Sequence, residues 1–183
     1  MLITLVCADS YSTNLQICHP KYQAAREIQA ILDDSRFENL EEPILEILKT
    51  DSGYVVITAS YELRIDVKYL PSFSGAIGGA PRFELIFNER KASPINCQVL
   101  HPKYQTAREI RAILNDCTLF EKLGNEVIQA IRKTEGGYVI VTRSFEIQVD
   151  VNYLPPSKPG IIGEPTRFDL VFHDPVYSFD LQR

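Results

Sequence analysis

Ala25, Ile28, Ile31 and Leu32 recur at helical spacing and predict a helix that opens at His19-Pro20 and runs to Leu32. Proline suits its first turn, where the missing N–H would have no partner anyway. From Tyr61 to Tyr69 the period changes to two. Leu63, Ile65 and Val67 face one way and Glu62, Arg64, Asp66 and Lys68 the other, the pattern of a half-buried strand. Phe145 to Tyr153 repeats that alternation. The β-branched runs Tyr54–Thr58 and Tyr138–Thr142 precede these strands by tight connections, so each pair is expected to form an antiparallel hairpin. Met1–Cys7 with Asn14–Cys18, and Arg82–Phe87 with Ile95–Leu100, read as two further hairpins. Phe37, Leu40, Ile44 and Ile47, and likewise Phe120, Leu123, Ile128 and Ile131, fit the buried face of a second helix interrupted at Glu42-Pro43 or Gly124-Asn125. Asp33 and Asp34 at the end of the first helix oppose its dipole, so that end must be held by packing.

The pattern is written twice. His19-Pro20-Lys21-Tyr22-Gln23-Ala24-Ala25-Arg26-Glu27-Ile28-Gln29-Ala30-Ile31-Leu32 returns from His101 to Leu114 with only Ala24/Thr106 and Gln29/Arg111 changed. The chain therefore reads as an α+β protein built by tandem duplication of a β-β-α-α-β-β unit, two pseudo-symmetric halves with antiparallel sheets. The first repeat spans 1–81. The second, with a C-terminal strand and tail, spans 82–183. The strand at Phe83 could close the first half or open the second. No Gly/Ser-rich linker separates them.

The two copies also compare themselves. With the apolar stripe centred near Ile28, the opposite helix face carries Gln23, Arg26, Glu27 and Ala30, unchanged as Gln105, Arg108, Glu109 and Ala112. Substitutions on a solvated face cost little, so retention there points to a contact surface, either between the halves or with a partner. A second retained feature is a long loop and its flanks: Tyr69-Leu70-Pro71 with Gly75, Ile77, Gly78, Arg82 and Phe83, matched by Tyr153-Leu154-Pro155 with Gly160, Ile162, Gly163, Arg167 and Phe168. Loops of this length are often functional, although Ile77 and Ile162 could equally plug the core. His19 with Lys21, and His101 with Lys103, stand at helix N-termini and could hold a small anion together with the loop arginines Arg82 and Arg167.

Composition narrows the function. With 45% hydrophobic and 23% charged residues the chain is ordinary globular material, and a net charge of −5 argues against general nucleic-acid binding or docking on anionic lipid. No apolar run approaches the roughly 18 residues of a membrane span, and the N-terminus lacks a basic leader, so a cytoplasmic protein is expected. Cys7, Cys18, Cys97 and Cys117 have no counterparts between copies and form no CxxC. They read as buried thiols, with a Cys18–Cys97 bridge as the alternative. Metal-binding His/Cys spacings, phosphate-cradling glycine motifs and GxSxG are absent, so neither metal nor cofactor is expected. Glu62 and Asp66 sit about 13 Å apart along one strand, too far for an acid pair. The expectation is a non-enzymatic binding or regulatory module, monomer or homodimer, that engages a protein partner through the first helix or the glycine loops. The rival is a small-anion or nucleotide-binding protein, possibly an enzyme, using the His-Pro-Lys corners.

Overall fold

The computed structural model describes residues 20–38, 42–71, 81–92, 105–155 and 166–177. Helices α1 (Pro20–Asp33) and α2 (Ser35–Glu38) lead into strands β1 (Ile44–Lys49), β2 (Gly53–Thr58), β3 (Tyr61–Tyr69) and β4 (Phe83–Ala92). The same order then recurs: α3 (Gln105–Asn115), α4 (Cys117–Leu123), β5 (Ala130–Lys133), β6 (Gly137–Val141), β7 (Phe145–Tyr153) and β8 (Phe168–Phe172), followed by the short β9 (Val176–Tyr177). All the strands join one antiparallel sheet in the order β4-β3-β2-β1-β5-β6-β7-β8, with β9 beside β7. The architecture is α+β.

The first helix and both alternating strands lie where the hydrophobic pattern places them, and Leu63, Ile65, Ile147 and Val149 are buried while Arg64, Lys68 and Gln148 are exposed. The second helix is a correction. Its expected span divides into the short α2 or α4 and then a strand, β1 or β5. A register shift between Ile44 and Glu46 explains the misleading spacing. Ile44 pairs with Thr58 and Ile47 with Val56, so the bulge puts two residues three apart on the same face of a strand. Both are buried there; Ile128, just before β5, and Ile131 within it are buried as well. Helical spacing and a bulged strand leave the same apolar signature.

Strand β4 pairs with β3, from Tyr69↔Phe83 to Tyr61↔Ala92, so the segment after residue 81 lies beside the strand before it. The hairpin strands expected at 1–7, 14–18 and 95–100 fall outside the described residues, as do Cys7, Cys18 and Cys97. The halves meet at the sheet centre, where β1 and β5 pair through Glu46↔Arg132, Ile47↔Ile131 and Leu48↔Ala130. One side of the sheet packs on the helices in a single core that includes Ile28, Ile31, Ile47, Ile65, Ile110, Ile113, Ile131 and Ile147. Each such side chain, fully buried, contributes about 1.5–3 kcal/mol of apolar transfer.

Above the β1–β5 joint the helices α1 and α3 touch. Gln29 Nε2 donates to Asn115 Oδ1 at 2.7 Å. Arg111 donates to the carbonyl of Leu32 and forms an ion pair with Asp33 at 2.8 Å. Arg36 holds Asp34 at 2.7 Å. The unfavourable aspartates at the end of α1 are thus countered by arginines, beyond the packing expected from sequence. The one helix position whose side chain changes most between copies, Gln29/Arg111, serves this joint.

Candidate functional site

Glu27 lies on the flank of the α1 stripe, one position before Ile28, and faces the sheet. It is 1% exposed, and Glu109 at the matching place on α3 is 0% exposed. The placement of both on the face opposite the apolar stripe is therefore corrected, and Gln105 is buried as well. Gln23, Arg26, Ala30, Arg108 and Ala112 are partly buried. Arg82 and Arg167 are exposed. His19, His101, Lys103, Ile77 and Ile162, and the side chain of Lys21, lie outside the described structure.

A carboxylate inside a core must be paired and hydrogen-bonded. Three strands supply Glu27 with partners. Tyr54, at the start of β2, donates to Oε2 at 2.8 Å. Tyr69, at the end of β3, donates to Oε1. Lys49, the last residue of β1, reaches Oε2 at 3.5 Å and the Tyr54 hydroxyl at 3.2 Å. Gln23, one turn earlier on α1, donates to Oε1 at 2.9 Å. The second half repeats the arrangement: Tyr138 at 2.7 Å, Tyr153 at 2.6 Å and Lys133 at 3.3 Å from the Glu109 carboxylate. Gln105 there accepts from Arg108 at 3.3 Å.

The electrostatics follow. Burial pushes the Glu27 carboxyl up, but hydrogen bonds from Tyr69, Gln23 and Tyr54 and the Lys49 charge outweigh it, so it stays below the ordinary glutamate range. Glu109 is lowered in the same way: burial is overcome by Tyr153, Tyr138 and the Lys133 ammonium. Burial and the adjacent carboxylate push the Tyr54 and Tyr138 hydroxyls far up. Tyr69 is pushed up to about 12, chiefly by burial and then by its bond to Glu27. Each cluster is a charged carboxylate held by protonated tyrosines and a lysine, with both oxygens engaged. It suits a clamp better than an acid–base catalyst, which needs a group poised near the working pH.

Tyr69 and Tyr153 tie the clamp to the loop flanks. Their hydroxyls reach inward while the residues remain 53% and 47% exposed. Tyr69 pairs with Phe83 and Tyr153 with Phe168. Leu70 donates to the Arg82 carbonyl and Leu154 to the Arg167 carbonyl, both at 2.9 Å. In the second half Arg108 donates to the Thr166 carbonyl at 3.2 Å, with its guanidinium 5.7 Å from the Phe168 ring centroid. In the first, Arg26 bonds Gln23 Oε1 at 3.1 Å. The two features retained between the copies, one helix face and one pair of loop flanks, thus converge on a single corner in each half.

Sequence reasoning missed Lys49, Lys133, Tyr54 and Tyr138 as members. The signal was present: Lys49-Thr50 and Gly53-Tyr54-Val55 return as Lys133-Thr134 and Gly137-Tyr138-Val139. Among the described residues no group of three or more His, Cys, Asp or Glu side chains could hold a metal ion. No described helix is long and apolar enough to cross a membrane. The sequence matches no protein-family model, and comparisons with curated proteins and with solved structures find no match.

Proposed function

We propose that the chain is a non-enzymatic binding or regulatory protein that arose by tandem duplication and engages a protein partner through two equivalent corners. The first centres on Tyr69, Arg26 and Arg82, the second on Tyr153, Arg108 and Arg167. The observation that carries this reading is the convergence of both retained features on one place in each half. Folding alone explains the buried clamp. It does not explain an exposed arginine at the flank of each loop, kept twice as Arg82 and Arg167. Tyrosine and arginine are the residue types that dominate interface hot spots. The clamp fixes the tyrosine ring in advance, which lowers the entropy lost on binding. Two corners on one chain favour a two-site or two-fold partner by avidity.

The test is capture of partners from native lysate with quantitative mass spectrometry. Arg82→Glu/Arg167→Glu changes exposed side chains outside the clamp. A control, Lys91→Glu/Arg143→Glu, makes the same charge change at exposed positions toward the opposite ends of β3 and β7. Partners should be lost from the first variant and kept by the second. If both variants retain the same proteins as the wild type, the corners are not the contact surface.

A further inference from the structure

We propose that β8 pairs with β8 of a second copy of this chain, antiparallel and centred on Leu170, so that the two sheets join edge to edge. The pairing uses the backbone edge of the sheet and stands whether or not the corners bind a partner.

Leu154 N donates to the Arg167 carbonyl and His173 N to the Gln148 carbonyl, both at 2.9 Å, and these bonds bracket the pairs Tyr153↔Phe168 and Val149↔Phe172. Those pairs, with Val151↔Leu170 between them, are therefore the non-hydrogen-bonded pairs of an antiparallel ladder. The N–H and C=O groups of Phe168, Leu170 and Phe172 accordingly point away from β7, and no described strand lies alongside β8 there. An edge of this kind is a template for another strand unless charge, proline or a cover blocks it. Asp169 is the only charged residue from Phe168 to Phe172, and the stretch holds no proline.

Phe168-Asp169-Leu170-Val171-Phe172 also reads nearly the same in both directions. An antiparallel copy centred on Leu170 sets Leu170 against Leu170 and Phe168 against Phe172, each pair exchanging both N–H···O bonds. These side chains share the helix side of the sheet, where all three are only partly buried against the core. Asp169 meets Val171 on the other face, so no like charges are opposed. A two-fold contact needs self-complementarity of this sort. Tyr153, Val171, Val176 and Tyr177 are large side chains left exposed around this edge, against Tyr69 and Ile86 around the opposite one.

Strand β4 carries the related stretch Phe83-Glu84-Leu85-Ile86-Phe87, but it is guarded. The Arg36 guanidinium lies 3.6 Å from the Phe87 ring centroid, and the strand runs on through exposed Glu89, Arg90 and Lys91. Two β8 edges close a dimer, whereas β4 on β8 would give an open chain.

The experiment is sedimentation equilibrium of the full chain from micromolar to millimolar concentration, with amide hydrogen exchange over the same range. The mass should approach a dimer and no more. The Phe168, Leu170 and Phe172 amides should become protected as concentration rises. Those of Asp169 and Val171, bonded to β7 throughout, should not change. Val171→Glu alters an exposed side chain and sets a carboxylate against Asp169 of the second copy, so it should weaken association at least about tenfold. Asp169→Lys/Val171→Glu opposes unlike charges and should restore it. Ile86→Glu, the matching change on β4, should associate as the wild type does. A monomer at every concentration, protection without that alternation, or growth beyond a dimer would overturn the proposal. So would unchanged association in Val171→Glu, or its loss in Ile86→Glu.

Discussion

Glu109 and Lys133 form the more enclosed of the two clamps, with side-chain exposures of 0% and 11%, against 1% and 29% for Glu27 and Lys49. Removing one member of a buried pair strands the other, at a cost of about 3–5 kcal/mol. Glu109→Gln, close in shape but uncharged, should therefore lower stability by about 3 kcal/mol in urea unfolding, and Glu27→Gln by less because Lys49 reaches water. Both glutamates are held below their ordinary value of 4.5 in the folded state. Their contribution is complete above the unfolded value and is lost as pH falls through the lower folded value. Acidification below about pH 5 should thus destabilise the wild type more steeply than the Glu27→Gln/Glu109→Gln variant, as equilibrium unfolding at several pH values will show. At this scale the sequence marked Glu27 and Glu109 as retained in both copies but placed them opposite the apolar stripe, whereas both are buried. An acidic residue on the edge of an apolar stripe looks solvated until its partners are known, and those partners, Tyr54, Tyr69 and Lys49, arrive from strands 22 to 42 positions away.

Among the elements, the β2–β3 and β6–β7 hairpins were readable because their alternation is clean. The β1 strand was not, because the bulge at Ile44/Glu46 puts helical spacing into a strand, and β5 was not, because Ile128 lies before the strand that begins at Ala130. The close approach at the start of β2 and β6 was visible only as the paired glycines Gly53 and Gly137. A Cβ at Gly53 would lie 2.1 Å from the Ile65 carbonyl oxygen, and one at Gly137 2.1 Å from that of Val149. The obstacle in each case is backbone of the adjacent strand, so the strands must part to admit a methyl group. Gly137→Ala should cost about 1–3 kcal/mol and selectively speed amide exchange in β6 and β7. Unchanged exchange there would show that the hairpin tolerates a wider spacing. Gly53 and Gly137 each stand one residue before a clamp tyrosine, so the same close approach sets where Tyr54 and Tyr138 point.

For the molecule as a whole, the sequence announced two copies but not how they join. The joint is made by the strands that read as helices. Three ladder pairs join β1 to β5, and the contact between α1 and α3, through Gln29–Asn115 and Arg111–Asp33, closes over them. With one sheet and one core the halves should unfold together. Far-ultraviolet circular dichroism and tyrosine fluorescence should trace a single coincident transition, and two separated transitions would show that the joint is weaker than its shared core implies. The corners lie away from this seam, at the ends of β3 and β7, so a partner could engage them without opening the sheet. All of this depends on the glutamates being buried, charged and clamped. Carbon-13 NMR of the Glu27 and Glu109 side-chain carboxyls across a pH series measures that directly. Both should titrate below the ordinary glutamate value and remain charged at pH 5, with the transition shifted upward when Tyr69 or Tyr153 is replaced by phenylalanine. Either carboxyl titrating at or above 4.5 in the wild type would contradict the clamp.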